Sequence, residues 1–215
     1  MAATNSEEIS CLLQRAAAGD QAVWGDLLER HRPRLRRMVE LRLDPRLQGR
    51  LDASDVIQEA YLTASGQLAE YLEQQTIPFY LWLRLVTSQK LVVLHRMHLG
   101  TKARDANRQI SIDRGVLPTA SSAALASKLI GREPSPSEAA GVVEQRRWLQ
   151  KALNRMNPLD REVLALRHFE QLTNAETAQV LGLEPSAASK RYVRALERIK
   201  EILSAMPGGL GAKEP

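Results

Sequence analysis

The chain has 215 residues, of which 44% are hydrophobic but only 4% aromatic, enough for one large or two small domains with aliphatic cores. A net charge of +5 and a pI near 9.6 favour a polyanionic partner. The single cysteine, Cys11, excludes an intramolecular disulfide, and no cluster of His and Cys residues predicts a metal or cofactor site. No apolar run predicts a signal peptide or a membrane span, so we expect a cytoplasmic protein.

Helical periodicity begins at the N-terminus, and strand alternation is nearly absent from the chain. Residues 6–18 predict a short helix, and a longer one is expected from Gly19-Asp20 to about Leu43. Pro33 lies inside the longer helix and predicts a bend or a lost hydrogen bond. Eight arginines either cover its solvated side or contact nucleic acid or an acidic partner, and the sequence leaves both open: Arg30, Arg32, Arg34, Arg36, Arg37, Arg42, Arg46 and Arg50.

An acidic segment follows, because residues 51–83 contain no Lys or Arg and five acidic residues. Asp52 predicts the N-cap of a helix over 53–65, where a carboxylate accepts backbone N–H groups and opposes the helix dipole. This helix would bury its aliphatic side and display Asp55, Gln58 and Glu59. Capping explains Asp52 but not Glu59, so the segment predicts a surface for a basic protein partner.

The segment 76–98 predicts a third helix that combines apolar and basic residues. Its aromatic side chains beside cations would suit melted DNA, whose bases stack on rings while cations hold phosphates. Phe79 and Trp82 are nevertheless assigned to the core by their helical spacing. The candidate DNA-contacting residues of this segment and of the stretch after it are Arg84, Gln89, Lys90, Arg96, Lys102 and Arg104.

Residues 111–135 change in composition towards Ser, Ala, Pro and Gly and predict a linker between domains, which can hold a short helix around 122–130. The run Ser135-Pro136-Ser137-Glu138 is a capping box that begins the second domain. Helices are expected to Met156 and over 158–169, and residues 206–215 are expected to be a disordered tail. The sequence therefore predicts an all-α protein of two small helical domains, 6–110 and 136–205, joined by a flexible linker.

The stretch 173–200 predicts a helix-turn-helix. Thr173 and Glu176 have capping-box spacing, Gly182 suits the left-handed turn, and Pro185 suits the first turn of a new helix. The buried stripe of that helix would be Ala188, Tyr192, Ala195 and Ile199. The residues expected to face duplex DNA are Ser186, Ala187, Ser189, Lys190, Arg191 and Arg194.

Three stretches resemble bacterial RNA polymerase sigma factors of the sigma-70 family, and more narrowly its extracytoplasmic-function (ECF) group. The run 153–203, from LNRMNPLDREVLALRHFEQL to RYVRALERIKEIL, resembles region 4. LDASDVIQEAYLTA resembles region 2.2, and PFYLWLRLVTSQKLVVLHR resembles regions 2.3–2.4. The order of the three stretches matches the family, whereas Glu184-Pro185, Ser189 and Thr177 depart from its pattern in the helix-turn-helix.

The resemblance implies a sigma factor that binds core polymerase and directs promoter-specific initiation. Asp52, Asp55, Gln58 and Glu59 would dock on the clamp helices of the β′ subunit, and region 4 would approach the β flap. The basic helix would bind the melted −10 element, and the helix-turn-helix would bind the −35 element. An anti-sigma factor is a further implied partner. The chemistry would be the polymerase's, since the sequence contains no catalytic constellation.

Two other function classes stay open on the sequence. A stand-alone helix-turn-helix regulator with a helical effector or dimerisation domain would bind its duplex site without polymerase. A helical adaptor would bind proteins and no DNA, so replacing Lys190 and Arg191 with alanine would leave nucleic-acid binding unchanged.

Overall fold

The computed structural model describes residues 2–47, 49–99, 119–131 and 139–206, and the regular structure within these ranges is helical. This confirms the all-α prediction. The chain divides into two compact units. The first unit comprises Met1–Val39 and Leu43–Pro118, and the second comprises Glu40–Arg42 and Thr119–Pro215.

The first unit contains four α-helices and a short 3-10 helix (Pro45–Leu47) in its described part. The α-helices are α1 (Ala2–Ala17), α2 (Gln21–Arg42, whose last three residues belong to the second unit), α3 (Ala53–Gln74) and α4 (Phe79–Leu99). The N-cap of α2 is Asp20, whose carboxylate accepts the Val23 N–H at 3.1 Å. Pro33 lies inside α2 without dividing it. The predicted boundaries of α1, α2 and α4 are correct to within a few residues.

Helix α3 begins where the sequence predicts and continues well beyond the predicted end at residue 65. Leu68 and Tyr71 continue the buried stripe of Ala64 at helical spacing, so their packing stabilises the helix beyond residue 65. It ends at Gln75, which adopts a left-handed conformation with φ of 37°. Residues 65–67, just beyond the predicted end, are on the solvent-facing side of the continuing helix.

Aromatic side chains join α3 and α4 to the remainder of the first unit. The rings of Tyr71 and Trp82 stack with centroids 4.5 Å apart, and Phe79 meets Trp24 edge-on at 6.2 Å. Phe79 is buried, which confirms its assignment to the core, while Trp82 is half-buried in its stack. These contacts fix the orientation of α3 relative to α4, and thereby the side chains that each helix presents to solvent.

The described part of the second unit contains α5 (Ser122–Ile130), α6 (Ala139–Asn154), α7 (Pro158–Leu164), a π-helical turn (Ala165–Phe169), α8 (Asn174–Leu181) and α9 (Pro185–Ser204). Its core is aliphatic and contains buried side chains from α5, α6, α7 and α9. The predicted capping box at residues 135–138 and the predicted tail after 206 lie outside the described residues.

Helix α5 lies within the predicted linker, at the place where the sequence allows a short helix. Ser121 caps the helix by accepting the Ala124 N–H, and Leu125 and Ala126 are fully buried in the core of the second unit. A segment rich in small residues has the composition of a linker, but it can form a helix when its few apolar side chains are buried in a core. Residues 119–131 are thus part of the second unit.

A buried ion cluster also belongs to the second unit. The Arg42 guanidinium contacts the carboxylates of Glu162 and Glu170, the latter at 2.5 Å, and all three side chains are buried. The second oxygen of Glu162 accepts the Ala120 N–H at 2.8 Å. Burial alone would lower the pKa of Arg42, but the two carboxylates raise it above the usual arginine range. Arg42 therefore does not lie on a solvated face with the other arginines of α2.

Candidate nucleic-acid and protein interfaces

Helices α8 and α9 form the predicted helix-turn-helix. Thr173 and Glu176 make the reciprocal capping box at the start of α8, and Gly182 ends it with φ of 62°, which a residue with a Cβ would adopt only with strain. Pro185 then begins α9, and the amide of Asn174 donates to the Pro185 carbonyl at 2.8 Å. The turn between the two helices is therefore fixed at both ends.

The inner side of α9 is the predicted apolar stripe. Ala188, Ala195 and Ile199 are buried, and Tyr192 is half-buried beneath the guanidinium of Arg167 at 5.0 Å. The outer side presents Ser186, Ser189, Lys190 and Arg194, all exposed, with Ala187 half-buried beside them. We call these outward residues the α9 surface. Its cations can bind phosphates, and its serines can bind phosphates or base edges.

Arg191 differs from the other predicted members of the α9 surface. Its guanidinium donates to the Asp160 carboxylate of α7 at 2.7 Å, and both side chains are mostly buried. This bond fixes α9 against α7, so Arg191 is better placed to orient the helix than to reach a base. The cations that α9 displays in its first three turns are therefore Lys190 and Arg194.

The predicted acidic residues lie at the start of α3. Asp52 accepts the N–H groups of Ser54 and Asp55 at 2.6 and 3.0 Å, and Asp55 accepts the Asp52 N–H at 2.8 Å, forming a capping box. The N–H groups of Asp55 and Ser54 hold the pKa of Asp52 below its usual value. Both carboxylates thus serve the helix start while remaining exposed to a partner.

Gln58 and Glu59 lie one turn further along the same exposed side of α3. Glu59 faces Lys90 of α4 at 3.6 Å across solvent, which is a weak pair. The α3 surface, defined as Asp52, Asp55, Gln58 and Glu59, therefore keeps a strongly negative outer face.

The sequence prediction missed an apolar member of this face. Leu62 follows Glu59 by three residues and is 72% exposed. It falls outside the buried stripe of Val56, Ala60 and Ala64, and that mismatch is the signal that could have identified it. An exposed leucine bordered by carboxylates is typical of an anchor at the centre of a protein–protein interface.

The predicted DNA-contacting residues of α4 separate into two groups. Gln89 and Arg96 are exposed, and Lys90 is half-buried beside Glu59. Arg84 is only 2% exposed, so its prediction as a DNA contact is wrong for this conformation. Lys102 and Arg104 lie outside the described residues.

Two exposed apolar side chains accompany the outward cations of α4, and neither was among the predicted DNA-contacting residues. Val93 and Met97 are 47% and 70% exposed and follow Gln89 and Lys90 at helical spacing. We call Gln89, Lys90, Val93, Arg96 and Met97 the α4 surface. It combines cations for a phosphate backbone with apolar groups that can pack on unstacked bases.

No described helix combines the length and the apolar character that a membrane span requires. No group of three or more His, Cys, Asp or Glu side chains within the described ranges is arranged to hold a metal ion. Cys11 is a free thiol on the exposed side of α1.

The chain is similar to known proteins along most of its length. The family model for sigma-70, region 4, matches residues 146–199, from α6 to α9. RNA polymerase sigma factor NccH of Alcaligenes xylosoxydans xylosoxydans is 26% identical, covering 90% of this chain and 94% of the relative. ECF RNA polymerase sigma factor ShbA of Streptomyces griseus is 28% identical over the same shares of the two chains.

A solved structure has the same fold. CnrH, determined in complex with the cytosolic domain of CnrY, superposes with a TM-score of 0.54 at 20% identity, covering 91% of this chain and 97% of that one. The region 4 match falls on the helix-turn-helix, and the two sigma-factor relatives extend the similarity through α3 and α4. Residues 146–199 thus match sigma-70, region 4, and most of the chain is similar to RNA polymerase sigma factors, ShbA of the ECF group among them.

Proposed function

We propose that this protein binds core RNA polymerase and directs it to promoters, with the α9 surface on the −35 element, the α4 surface on the melted −10 element and the α3 surface on the polymerase. The observation that carries the proposal is the outward face of α9, where Ser186, Ser189, Lys190 and Arg194 are exposed. Behind them, the Arg191–Asp160 and Asn174–Pro185 bonds hold the helix rigidly. A rigid basic helix fits the ~12 Å major groove of duplex DNA.

The α4 surface suits a different form of DNA. Melting exposes bases, and a protein stabilises them by packing side chains on their faces while cations hold the backbone. Lys90 and Arg96 supply the cations, and Val93 and Met97 supply apolar contact. The protein would thus grip duplex and open DNA with separate helices, while the bond-forming chemistry belongs to the polymerase.

The α3 surface suits a basic protein surface, and we assign it to the β′ clamp helices of the polymerase. Its carboxylates supply charge complementarity, and Leu62 supplies the apolar anchor. An anti-sigma factor is a further partner that the family implies, and a pull-down with the full chain would reveal one.

Reconstituted transcription tests the function as a whole. Core polymerase with the full chain, given chromosomal fragments of the bacterium that encodes it, should produce transcripts from discrete start sites that core polymerase alone does not produce. The free chain should bind the same fragments weakly. Tight sequence-specific binding by the free chain, without chain-dependent transcripts, would instead identify a stand-alone regulator.

Removing the charge of Arg194 should weaken holoenzyme binding to promoter DNA and reduce its salt dependence. Each phosphate contact contributes about 0.9 to the slope of log K against log salt, so Arg194→Gln should flatten the slope by roughly that amount. Filter binding of wild-type and variant holoenzymes across a salt series measures it.

Arg198 provides the matched control because it lies one turn further along α9 and its guanidinium pairs with Glu201 at 2.7 Å. Arg198→Gln should leave the slope close to that of the wild type. Equal slopes for Arg194→Gln and the wild type would show that Arg194 does not contact a phosphate.

A further inference from the structure

Val193 stands out on the outer face of α9. It is 51% exposed and lies on the side opposite the buried Ala188 and Ala195. A β-branched residue in an exposed helical position loses rotamer freedom and buries nothing in return, so helix stability does not account for it. Its exposure leaves the side chain available to a ligand.

The neighbours of Val193 narrow the chemistry of that ligand. Ser189, Lys190, Val193 and Arg194 line one shallow hollow on the surface of the helix. Lys190 precedes Val193 by three residues and Arg194 follows it directly, so cations flank the apolar group on both sides. The hollow therefore has an apolar centre and a basic rim, which complements a polyanion that carries an apolar group.

Duplex DNA has one such group in its major groove. Thymine alone among the bases presents a methyl group there, at C5, and apolar side chains recognise it by direct contact. Lys190 and Arg194 would fix the register on the phosphates, which carry no sequence information themselves. Alongside the serines of the α9 surface, the apolar side chain between the two cations can then discriminate among bases.

We propose that Val193 is a specificity-determining residue whose methyl groups contact the C5 methyl of a thymine in the −35 element. The inference rests on the proposed entry of α9 into the major groove and adds which base it selects. The basic rim argues for DNA over an apolar protein partner as the occupant of the hollow, and the experiment separates the two.

The experiment uses holoenzyme reconstituted from core polymerase and the full chain, on promoter templates with a randomised −35 window. Sequencing of the transcribed templates should show wild-type holoenzyme enriching thymine at one position. Val193→Ser should lose that enrichment while still transcribing, and Val193→Thr should keep it because threonine retains a methyl group. Serine and valine have similar helix propensities, so the serine variant should keep the fold.

Val143 on α6 is the matched control, since it is a valine of the same unit with 44% exposure. Val143→Ser should leave the enriched sequence unchanged. Replacing the selected thymine with uracil then removes only the C5 methyl, and wild-type affinity should fall about fourfold, the value of one buried methylene-sized group. The Val193→Ser holoenzyme should bind the thymine and uracil templates equally.

Chain-dependent transcription with the same thymine enrichment in the wild type and Val193→Ser would overturn this inference and leave the proposed function standing. Equal binding of the thymine and uracil templates by the wild type would also overturn it. A Val193→Ser variant that loses affinity for core polymerase but keeps the base preference would overturn it too, because that result indicates a contact with protein. Absence of any chain-dependent transcript would overturn the proposed function, and this inference with it.

Discussion

Replacing Arg42 with methionine is expected to lower the free energy of unfolding of the second unit by about 3–5 kcal/mol. The Arg42 side chain is fully buried between Glu162 and Glu170. Methionine fills a similar volume but leaves two carboxylates in an apolar interior without a counter-charge.

Urea denaturation of the full chain measures the effect. The chain contains three tryptophans, of which Trp148 packs against the core of the second unit. In a Trp24→Phe, Trp82→Phe background, fluorescence therefore reports on the second unit. The Arg42→Met transition should move to lower urea with an unchanged slope.

Two further variants separate loss of the ion cluster from loss of packing. Glu162→Gln with Glu170→Gln, added to Arg42→Met, should recover most of the stability, because no charge then remains buried and a glutamine can still accept the Ala120 N–H. Arg198→Met removes an arginine from an exposed pair and should change little. An Arg42→Met protein as stable as the wild type would show that the cluster does not form in solution.

The second large effect is expected on polymerase binding. Glu59→Lys combined with Leu62→Ala should lower the affinity of the chain for core polymerase by more than about a hundredfold, since a reversed charge and a lost apolar anchor each cost about 2 kcal/mol at an interface centre. Titration of labelled full chain with core polymerase measures the dissociation constant.

Glu59 is chosen for charge reversal over Asp55 because Asp55 completes the capping box of α3. A substitution at Asp55 would weaken the helix itself and confuse the result. Glu73→Lys makes the same charge change near the other end of α3, where the residue is exposed, and should bind polymerase as the wild type does.

Lys90→Gln is the second control, because it breaks the Glu59–Lys90 pair while keeping the carboxylate. If Glu59 acts on the polymerase directly, Lys90→Gln should keep wild-type affinity for core enzyme. An unchanged dissociation constant for the Glu59→Lys, Leu62→Ala chain would refute the assignment of the α3 surface.

Local features of this fold were predictable from sequence because they depend on neighbouring residues. The Thr173–Glu176 capping box, the left-handed Gly182 and the buried Ala188 and Ala195 each follow from spacings of a few positions. The same holds for Asp52 at the start of α3. These are interactions within one or two helical turns, where periodicity and backbone chemistry decide the outcome.

The errors lie where distant parts of the chain meet. Arg42 stands in a run of arginines typical of a solvated face, but its partners Glu162 and Glu170 follow more than a hundred residues later. Arg84 was also predicted to be displayed, and it is buried. Nothing in the local sequence identifies a charge whose counter-charge comes from another element.

Exposed apolar residues were missed for the opposite reason. Leu62 and Val193 were passed over because an amphipathic pattern is recognised by its buried stripe, and apolar residues outside it are treated as incidental. Only the exposure of each side chain in the folded structure distinguishes such residues from those at the edge of the core. In the proposals above, Leu62 is the apolar anchor on the polymerase, and Val193 selects a thymine in the −35 element.

The contribution of Glu40–Arg42 to the second unit bears on how such proteins can be cut and recombined. The carbonyl of Leu41 accepts the Ser121 N–H at 2.8 Å, and Glu40 pairs with Lys128 at 2.7 Å. A fragment that begins at Thr119 would lack these partners as well as the cation between its two buried glutamates. Chimaeras that exchange DNA-binding modules between relatives should therefore transfer residues 40–42 together with the C-terminal segment, although some eighty residues of chain separate them.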